Sequence, residues 1–469
     1  MTIWLPDITD RRGPKYLAIS DALADDIREG NIQSGDRLPT HRDLAYHLGV
    51  TVGTVSRAYA EAERRGLTYG EVGRGTFAKA NDEWRGIYAN NDTAFFKKEP
   101  SESNTVDFGL NMPAAGERAA VLSETLTELA RSPYLDDFLS YQTEGGMAPH
   151  RAAIAKWLAQ YHLADNPAQI VISNGAQHAL TIVLMAMTNP GDLVATEAYT
   201  YPAIHGLTQQ LGLKITGLEM DDLGIVPAAF ERLCQTRPPK ILYCQPTLQN
   251  PTTAVMPDER RQEIAAIALH YNVLIMDDDV YGYLVPDAPQ PISVYAPKNS
   301  FFISSASKFL APGLRVGFIH CPLQYVDQIR TCLQLTSWMA PPLMCEVERR
   351  WLEDGTADRF IDWHRQEAKA RQKIAKKALA GADFKTHPSS YHLWLKMPEH
   401  WRAENFVARV AEEGVTVLPS SSFAIGNTGT EEAVRVCLGS PSSKEKVEAG
   451  LTILARALEE TQKTPGVFI

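Results

Sequence analysis

Ser305-Ala306-Ser307-Lys308-Phe309-Leu310-Ala311-Pro312-Gly313-Leu314-Arg315 is the stretch that decides how this chain reads. It follows the apolar run Phe301-Phe302-Ile303 and sets one lysine between hydroxyls and an arginine. A lysine amine just past a strand can condense with an aldehyde, while Ser305, Ser307 and Arg315 can hold a dianionic phosphate through charge-assisted hydrogen bonds. The pattern predicts a site for pyridoxal 5'-phosphate, an aldehyde with a phosphate tail, with Lys308 as the reacting amine.

Outward from this stretch, from Thr105 onward, the runs Ile170-Val171-Ile172, Leu193-Val194-Ala195, Ile241-Leu242-Tyr243, Val273-Leu274-Ile275-Met276 and Phe301-Phe302-Ile303 alternate with helical segments. That rhythm predicts an α/β body with a mostly parallel sheet, whose ligands sit at the carboxyl ends of the strands. Ser173-Asn174-Gly175-Ala176-Gln177 follows one such strand and opens a helix, so the N–H groups of Gly175, Ala176 and Gln177 can face a phosphate. Tyr201 can stack on a flat pyridine ring, although a tyrosine that merely packs reads equally well. Asn250-Pro251-Thr252 places an amide near a ring oxygen. Asp277-Asp278-Asp279 ends the next strand, and three buried carboxylates are costly unless one meets a positive partner. A protonated pyridine nitrogen is such a partner, and Tyr281 can hydrogen-bond the ring oxygen. A magnesium site is the competing reading of the triplet, but no second acidic cluster supplies ligands.

The 469 residues, 44% hydrophobic and 22% charged, suit two or three globular domains. No apolar run approaches the roughly 18 residues of a membrane span, and the start lacks a basic leader followed by an apolar run, which predicts a cytoplasmic protein. Six scattered cysteines without a CxxC pair predict reduced, mostly buried thiols rather than disulfides or a metal site. A net charge of -10 argues against nucleic acid for the chain as a whole, yet residues 37–79 hold seven bases against four acids.

That basic stretch lies in a separate module. Tyr16 to Glu29 has apolar residues at helical spacing and a stop at Gly30; Thr40 caps a short helix that turns at Gly49, and Thr51 caps the next, Val52 to Arg65. Two short helices joined by a tight turn form a helix-turn-helix, and Leu67 to Phe77 reads as a β-hairpin wing with Arg74 near its tip. The run GDRLPTHRDLAYHLGVTVGTVSRAYAEAERRGL followed by GRGTF resembles the GntR-type winged helix-turn-helix. The resemblance implies that Arg37 and Arg42 contact backbone phosphate, that Thr51, Thr54 and Arg57 lie on the recognition helix, and that Gly75 lets the wing approach the minor groove. Where many relatives carry arginine early in that helix, this chain has Val52-Gly53, so a bidentate arginine–guanine contact is excluded there. Three segments follow: a DNA-binding domain at 1–80, a linker of mixed charge at 81–104, and a body at 105–469.

The order Gly175, Tyr201, Asn250, Asp278, Tyr281, Ser305, Ser307, Lys308, Arg315 and Arg435 resembles fold-type I aminotransferases over the whole body. By that resemblance Lys308 forms the internal aldimine, Asp278 pairs with the pyridine nitrogen, Asn250 and Tyr281 hold the ring oxygen, Tyr201 stacks, and Arg435 binds a substrate carboxylate. The tyrosine matching Tyr141 reaches the phosphate of a neighbouring subunit in that family, which implies a homodimer. Four positions depart from the pattern: Thr253, Ser390 and Tyr391 stand where glycine is common, and Asn111 stands near the substrate where glycine is frequent. Head and body together resemble the MocR-type regulators. This implies a pyridoxal-phosphate-dependent transcription factor that binds double-stranded DNA and senses an amine or amino-acid effector. A working aminotransferase with a DNA-binding head is the alternative, and a sensor of the cofactor's own level is a third reading.

Overall fold

The computed structural model describes residues 4–6, 8, 14–28, 31–32, 35–64, 67–71, 75–78, 105–142, 145–163, 166–426 and 431–460. The chain divides into two compact units, Met1–Lys97 and Lys98–Ile469. Segment 81–104, read as a linker, and Arg74 lie outside the described residues.

In the first unit α1 (Lys15–Arg28), α2 (His41–Leu48) and α3 (Val52–Arg64) precede an antiparallel pair, β1 (Thr68–Glu71) and β2 (Gly75–Ala78). Ile19, Leu23, Leu44, Val55, Ala58 and Ala62 recur at helical spacing and form its core. Thr40 caps α2, its Oγ1 accepting from the Asp43 N–H at 3.2 Å, and Gly49 ends it at φ 59, a left-handed turn natural to glycine. Thr51 Oγ1 likewise accepts from the Thr54 N–H at 3.1 Å at the start of α3. The Tyr59 hydroxyl, on α3, donates to the Pro39 carbonyl at 2.9 Å and ties the helices into the expected winged helix-turn-helix.

The second unit is built on a seven-stranded sheet. Its strands are β3 (Ile170–Ser173), β4 (Leu193–Glu197), β5 (Lys214–Leu218), β6 (Ile241–Cys244), β7 (Leu274–Asp278), β8 (Ser300–Ser305) and β9 (Gly317–His320), in the order β3-β9-β8-β7-β6-β4-β5. All neighbours run parallel except β9, which is antiparallel to both β8 and β3. Alternate residues go to opposite faces: Ile241, Tyr243 and Met276 pack with helix α4 (Ala176–Met187), whereas Leu242, Cys244 and Ile275 pack with Ile264 and Ala268 of Asp258–His270. Both faces are covered, which is why the strands read as continuous apolar runs.

The carboxyl ends of β3, β4, β7 and β8 finish in Ser173, Glu197, Asp278 and Ser305. One Gly317 pairs with both Ser305 and Ser173, so the segment after β8 is drawn beside the segment after β3. A smaller antiparallel sheet, absent from the sequence reading, follows: β10 (Phe384–Thr386), β11 (His392–Lys396), β12 (Leu418–Pro419) and β13 (Ala433–Cys437), in the order β10-β11-β13-β12. Helices α5 (Thr356–Ala378) and α6 (Lys444–Glu459) share its core with Leu393, Leu395, Val434 and Val436. It presents His392 and Arg435 to the main sheet's strand ends.

Candidate functional site

Lys308 closes a single 3-10 turn, Ala306–Lys308, capped by the Ser305 hydroxyl, which accepts from the N–H of the turn's second residue, Ser307, at 3.4 Å. The Tyr391 hydroxyl donates to the Lys308 carbonyl at 2.8 Å. The ammonium donates to the Asn111 carbonyl and lies 5.8 Å from the centre of the Tyr281 ring. Burial of the amine pulls it down to about 8 from the ordinary lysine value of 10.5, with Arg435 adding to the fall and Cys437 opposing it. Near neutrality a useful fraction is therefore the free, nucleophilic amine.

Alternation along β7 separates two of the three aspartates. Asp277 points to the Leu242 face, where its Oδ2 accepts from the N–H and hydroxyl of Ser293, each at 2.9 Å. Asp278 points to the Tyr243 face, where its Oδ2 accepts from the Tyr243 hydroxyl at 2.7 Å and the Gln245 side-chain amide at 3.0 Å. Its Oδ1 is buried and has no partner among the described residues. Burial pushes the Asp278 carboxyl up to about 7; the bonds from Tyr243 and Gln245 oppose this, and Glu197 and Asp277 reinforce it. Behind it Glu197 accepts from the Gln245 backbone N–H at 2.7 Å and from the hydroxyls of Thr196 and Thr200 at 3.1 Å each. Asp279 is buried with Oδ1 also unpartnered, and the guanidinium of buried Arg261 is among its electrostatic neighbours.

Gly175 stands at φ 83 before α4, and a Cβ there would meet Arg315 Nη2 at 2.8 Å. Arg315, itself left-handed at φ 53, donates from Nη2 to the Asn174 carbonyl at 3.0 Å. Gly317 completes the close approach, since a Cβ on it would run into the Gly175 backbone. The opening N–H groups of α4, at Ala176 and Gln177, thus share one corner with Ser305, Ser307 and Arg315. Tyr201 precedes the helix Pro202–Gln210; burial raises its hydroxyl, and Asp278, Arg435 and Arg315 are its charged neighbours.

On the side of the smaller sheet Arg435 is 2% exposed. Its Nη1 donates to Asn250 Oδ1 at 2.8 Å, its Nη2 donates to the Gly109 carbonyl, and its guanidinium carbon lies 4.7 Å from the centre of the Phe423 ring. Nε has no partner. Asn111, expected near a substrate, commits its amide nitrogen to the protein, 2.9 Å from the Tyr281 hydroxyl and 3.1 Å from His392 Nδ1, while its Oδ1 is buried without a partner among the described residues. Tyr141 is 78% exposed and packs edge-on against Trp338 at 5.7 Å.

Sequence reasoning missed Tyr243, Gln245, Glu197 and His392. Each is an unremarkable residue inside or beside a strand, and only the neighbouring strand discloses what it holds. The Asp278 signal could have been sharpened by strand parity, which assigns Asp277 and Asp278 to opposite faces.

In the first unit Arg37, Arg42, Thr51, Val52 and Arg57 are exposed and Thr54 is half-buried. Thr51 and Thr54 hydroxyls lie 2.9 Å apart within the helix cap, so both are engaged with each other. Arg37 pairs with Phe77 of the wing, and a Cβ at Gly75 would come within 3.1 Å of its Nε. Gly75, at φ 122, therefore also makes room for the arginine lying across the wing.

Residues 103–454 match the family model for aminotransferase class I and II. The chain belongs to that family. Residues 15–78 match the model for bacterial regulatory proteins of the gntR family, so the chain carries the fused arrangement of the MocR-type regulators. It is 28% identical over 457 residues to the uncharacterized HTH-type transcriptional regulator YdeF of Bacillus subtilis, covering 97% of each chain. It is 24% identical over 375 residues to aromatic-amino-acid aminotransferase 1 of Thermococcus litoralis, covering 77% of this chain and 89% of the relative. Among solved structures, kynurenine aminotransferase of Pyrococcus horikoshii, in complex with PMP, superposes with a TM-score of 0.72 at 23% identity, covering 81% of this chain and 95% of that one. These likenesses establish the fold-type I aminotransferase fold of the body. Among the described residues no helix is long and apolar enough to cross a membrane.

Proposed function

We propose that this protein is a pyridoxal-phosphate-dependent transcriptional regulator whose body senses an amino-group-bearing effector at Lys308 and whose winged head binds double-stranded DNA. The observation that carries the cofactor reading is the buried, unpartnered Oδ1 of Asp278, on the same cleft as the lowered amine of Lys308. An anion so placed calls for a cation, and a pyridinium nitrogen supplies one. The Gly175 corner, into which no Cβ fits, supports the phosphate end. When bound, the cofactor supplies an aldehyde carbon that Lys308 or an incoming amine can attack.

The chain's own residues then have separate tasks. Asp278, steadied by Tyr243 and Gln245, holds the pyridine nitrogen's proton. Ser305, Ser307, Arg315 and the N–H groups of Gly175, Ala176 and Gln177 bind phosphate. Asn250 and Tyr281 orient the ring oxygen, Tyr201 covers the ring, and Arg435 offers its remaining N–H groups to a carboxylate. Tyr141, exposed in a single chain, reaches the site of a second subunit in a homodimer. In the head Arg37, Arg42, Arg57 and Arg74 meet phosphates, with Thr51, Thr54 and Gly75 shaping the contact.

Effector binding changes DNA placement only to the extent that the effector binds the two states of the regulator differently. The test pairs two measurements on the purified full chain: borohydride reduction with pyridoxal phosphate followed by peptide mass spectrometry, and footprinting on its own upstream DNA with and without candidate amines. An adduct on Lys308 and an amine-dependent footprint are expected. Absence of the adduct refutes the cofactor site. Rapid turnover with a keto acid and no selective footprint would identify a working aminotransferase instead, the reading that the aminotransferase relatives favour.

A further inference from the structure

The cleft holds a hydrogen-bond chain that none of the assigned roles uses. It begins at the Gln249 carbonyl, 3.2 Å from His392 Nε2. A carbonyl only accepts, so Nε2 carries the hydrogen and Nδ1 is left as an acceptor. Burial, with Arg435 and Lys308 adding to it, drives this imidazole down to about 3, so it stays neutral across the working range. An accepting Nδ1 fixes the amide of Asn111, whose nitrogen is 3.1 Å away and must donate to it. The same nitrogen's second hydrogen then goes to the Tyr281 oxygen at 2.9 Å. Tyr281 is thereby an acceptor on its inner side, and its own proton is left for an acceptor in the cleft that Lys308 faces.

We propose that Asn111 and His392 are positioning residues that aim the Tyr281 hydroxyl outward, as a strengthened donor to the ring oxygen of the cofactor. The inference rests on the cofactor reading above and assigns a task to two residues which that reading leaves without one. A hydroxyl that accepts one hydrogen bond donates a stronger one, because the chain polarises cooperatively. Donation to the ring oxygen stabilises its anionic form. In a Schiff base of Lys308 that oxygen carries its full charge only when the imine nitrogen has lost its proton. Weakening the donor therefore raises the pH at which the imine titrates. Asp278, Tyr201, Arg435 and Cys437 also surround Tyr281, and they stay the same in the variants below.

Asn111→Asp is nearly the same shape, but an ionised carboxylate there only accepts and so draws the Tyr281 proton toward itself. Asn111→Leu removes the donor without offering an acceptor. His392→Phe frees the amide, and His392→Asn restores an acceptor in its place. The measurement is the pH midpoint of the visible absorbance of the full chain loaded with pyridoxal phosphate. The midpoint should rise most in Asn111→Asp, by roughly one pH unit, and about half as much in Asn111→Leu, the size expected of a lost hydrogen bond. His392→Phe should raise it and His392→Asn should bring it back toward the wild-type value. A purely space-filling role predicts the reverse order for the two Asn111 variants, and that order, or unchanged midpoints in all four, overturns the proposal. If the wild type forms no chromophore, the cofactor reading fails and this inference falls with it, whereas a normal wild-type spectrum with unmoved variants removes the inference alone.

Discussion

Replacing Asp278 by asparagine should make the cofactor-free protein more stable at pH 8 while making it a poorer binder of pyridoxal phosphate. In the fold this carboxyl is held near pH 7, against 3.8 for an ordinary aspartate, chiefly by burial. The folded state therefore keeps a proton that the unfolded chain releases, so stability falls as pH rises from about 4 to about 7 and then levels off. Above that window the ionised group costs roughly 4 kcal/mol. Asparagine can keep an oxygen at Oδ2, where Tyr243 and Gln245 donate, and it places an amide hydrogen where Oδ1 now lacks a partner. That unpaired amide costs about 1–3 kcal/mol, leaving a net gain of roughly the same size. Thermal unfolding of cofactor-stripped protein from pH 5 to pH 8 should show the variant's advantage growing with pH, to a few degrees at most. Cofactor affinity should fall about 10- to 100-fold, as expected for loss of a charge-assisted bond. A variant that melts below wild type at pH 8, with a gap independent of pH, would refute the reasoning, because Asp278 would then be a satisfied structural carboxylate.

Other consequences can be checked with similar material. Lys308→Ala should leave no reducible adduct with pyridoxal phosphate while the far-ultraviolet spectrum stays unchanged, read by mass spectrometry and circular dichroism. Gly175→Ala combines a left-handed φ with a 2.8 Å clash against Arg315 Nη2; it should lower stability by roughly 1–3 kcal/mol and weaken pyridoxal phosphate binding by about tenfold or more. Arg37→Ala should weaken DNA binding about equally for all sequences and reduce the slope of log affinity against log salt by about one, whereas an unaltered slope would remove Arg37 from the phosphate contacts.

The parts of the site legible in the chain were those with local chemical signatures. Lys308 between hydroxyls, Gly175 at a strand-to-helix turn and the caps at Thr40 and Thr51 follow from a few consecutive residues, and each sits where local rules place it. The roles of Asn111 and His392 were not legible, because they depend on a contact between residues 281 positions apart in the chain. The sequence places Asn111 near a substrate because it replaces a small residue; in the fold its side-chain nitrogen is also engaged by Tyr281 and His392. The edge strand β5, with four of its five residues not fully buried, and the short antiparallel β9 gave only weak signals, since neither is a long apolar run.

By itself the order of residues determined two modules and an α/β body with a mostly parallel sheet, and it singled out Lys308 as the candidate amine. These are properties of hydrophobic period, turn residues and side-chain chemistry, all of which act within a few residues of the backbone. Tertiary structure alone decided how Gly317 draws Arg315 against Gly175, and how Asn111 comes to lie between Tyr281 and His392. Those outcomes depend on register and hydrogen bonds across distant segments, and such relations exist only once the sheet has closed around them.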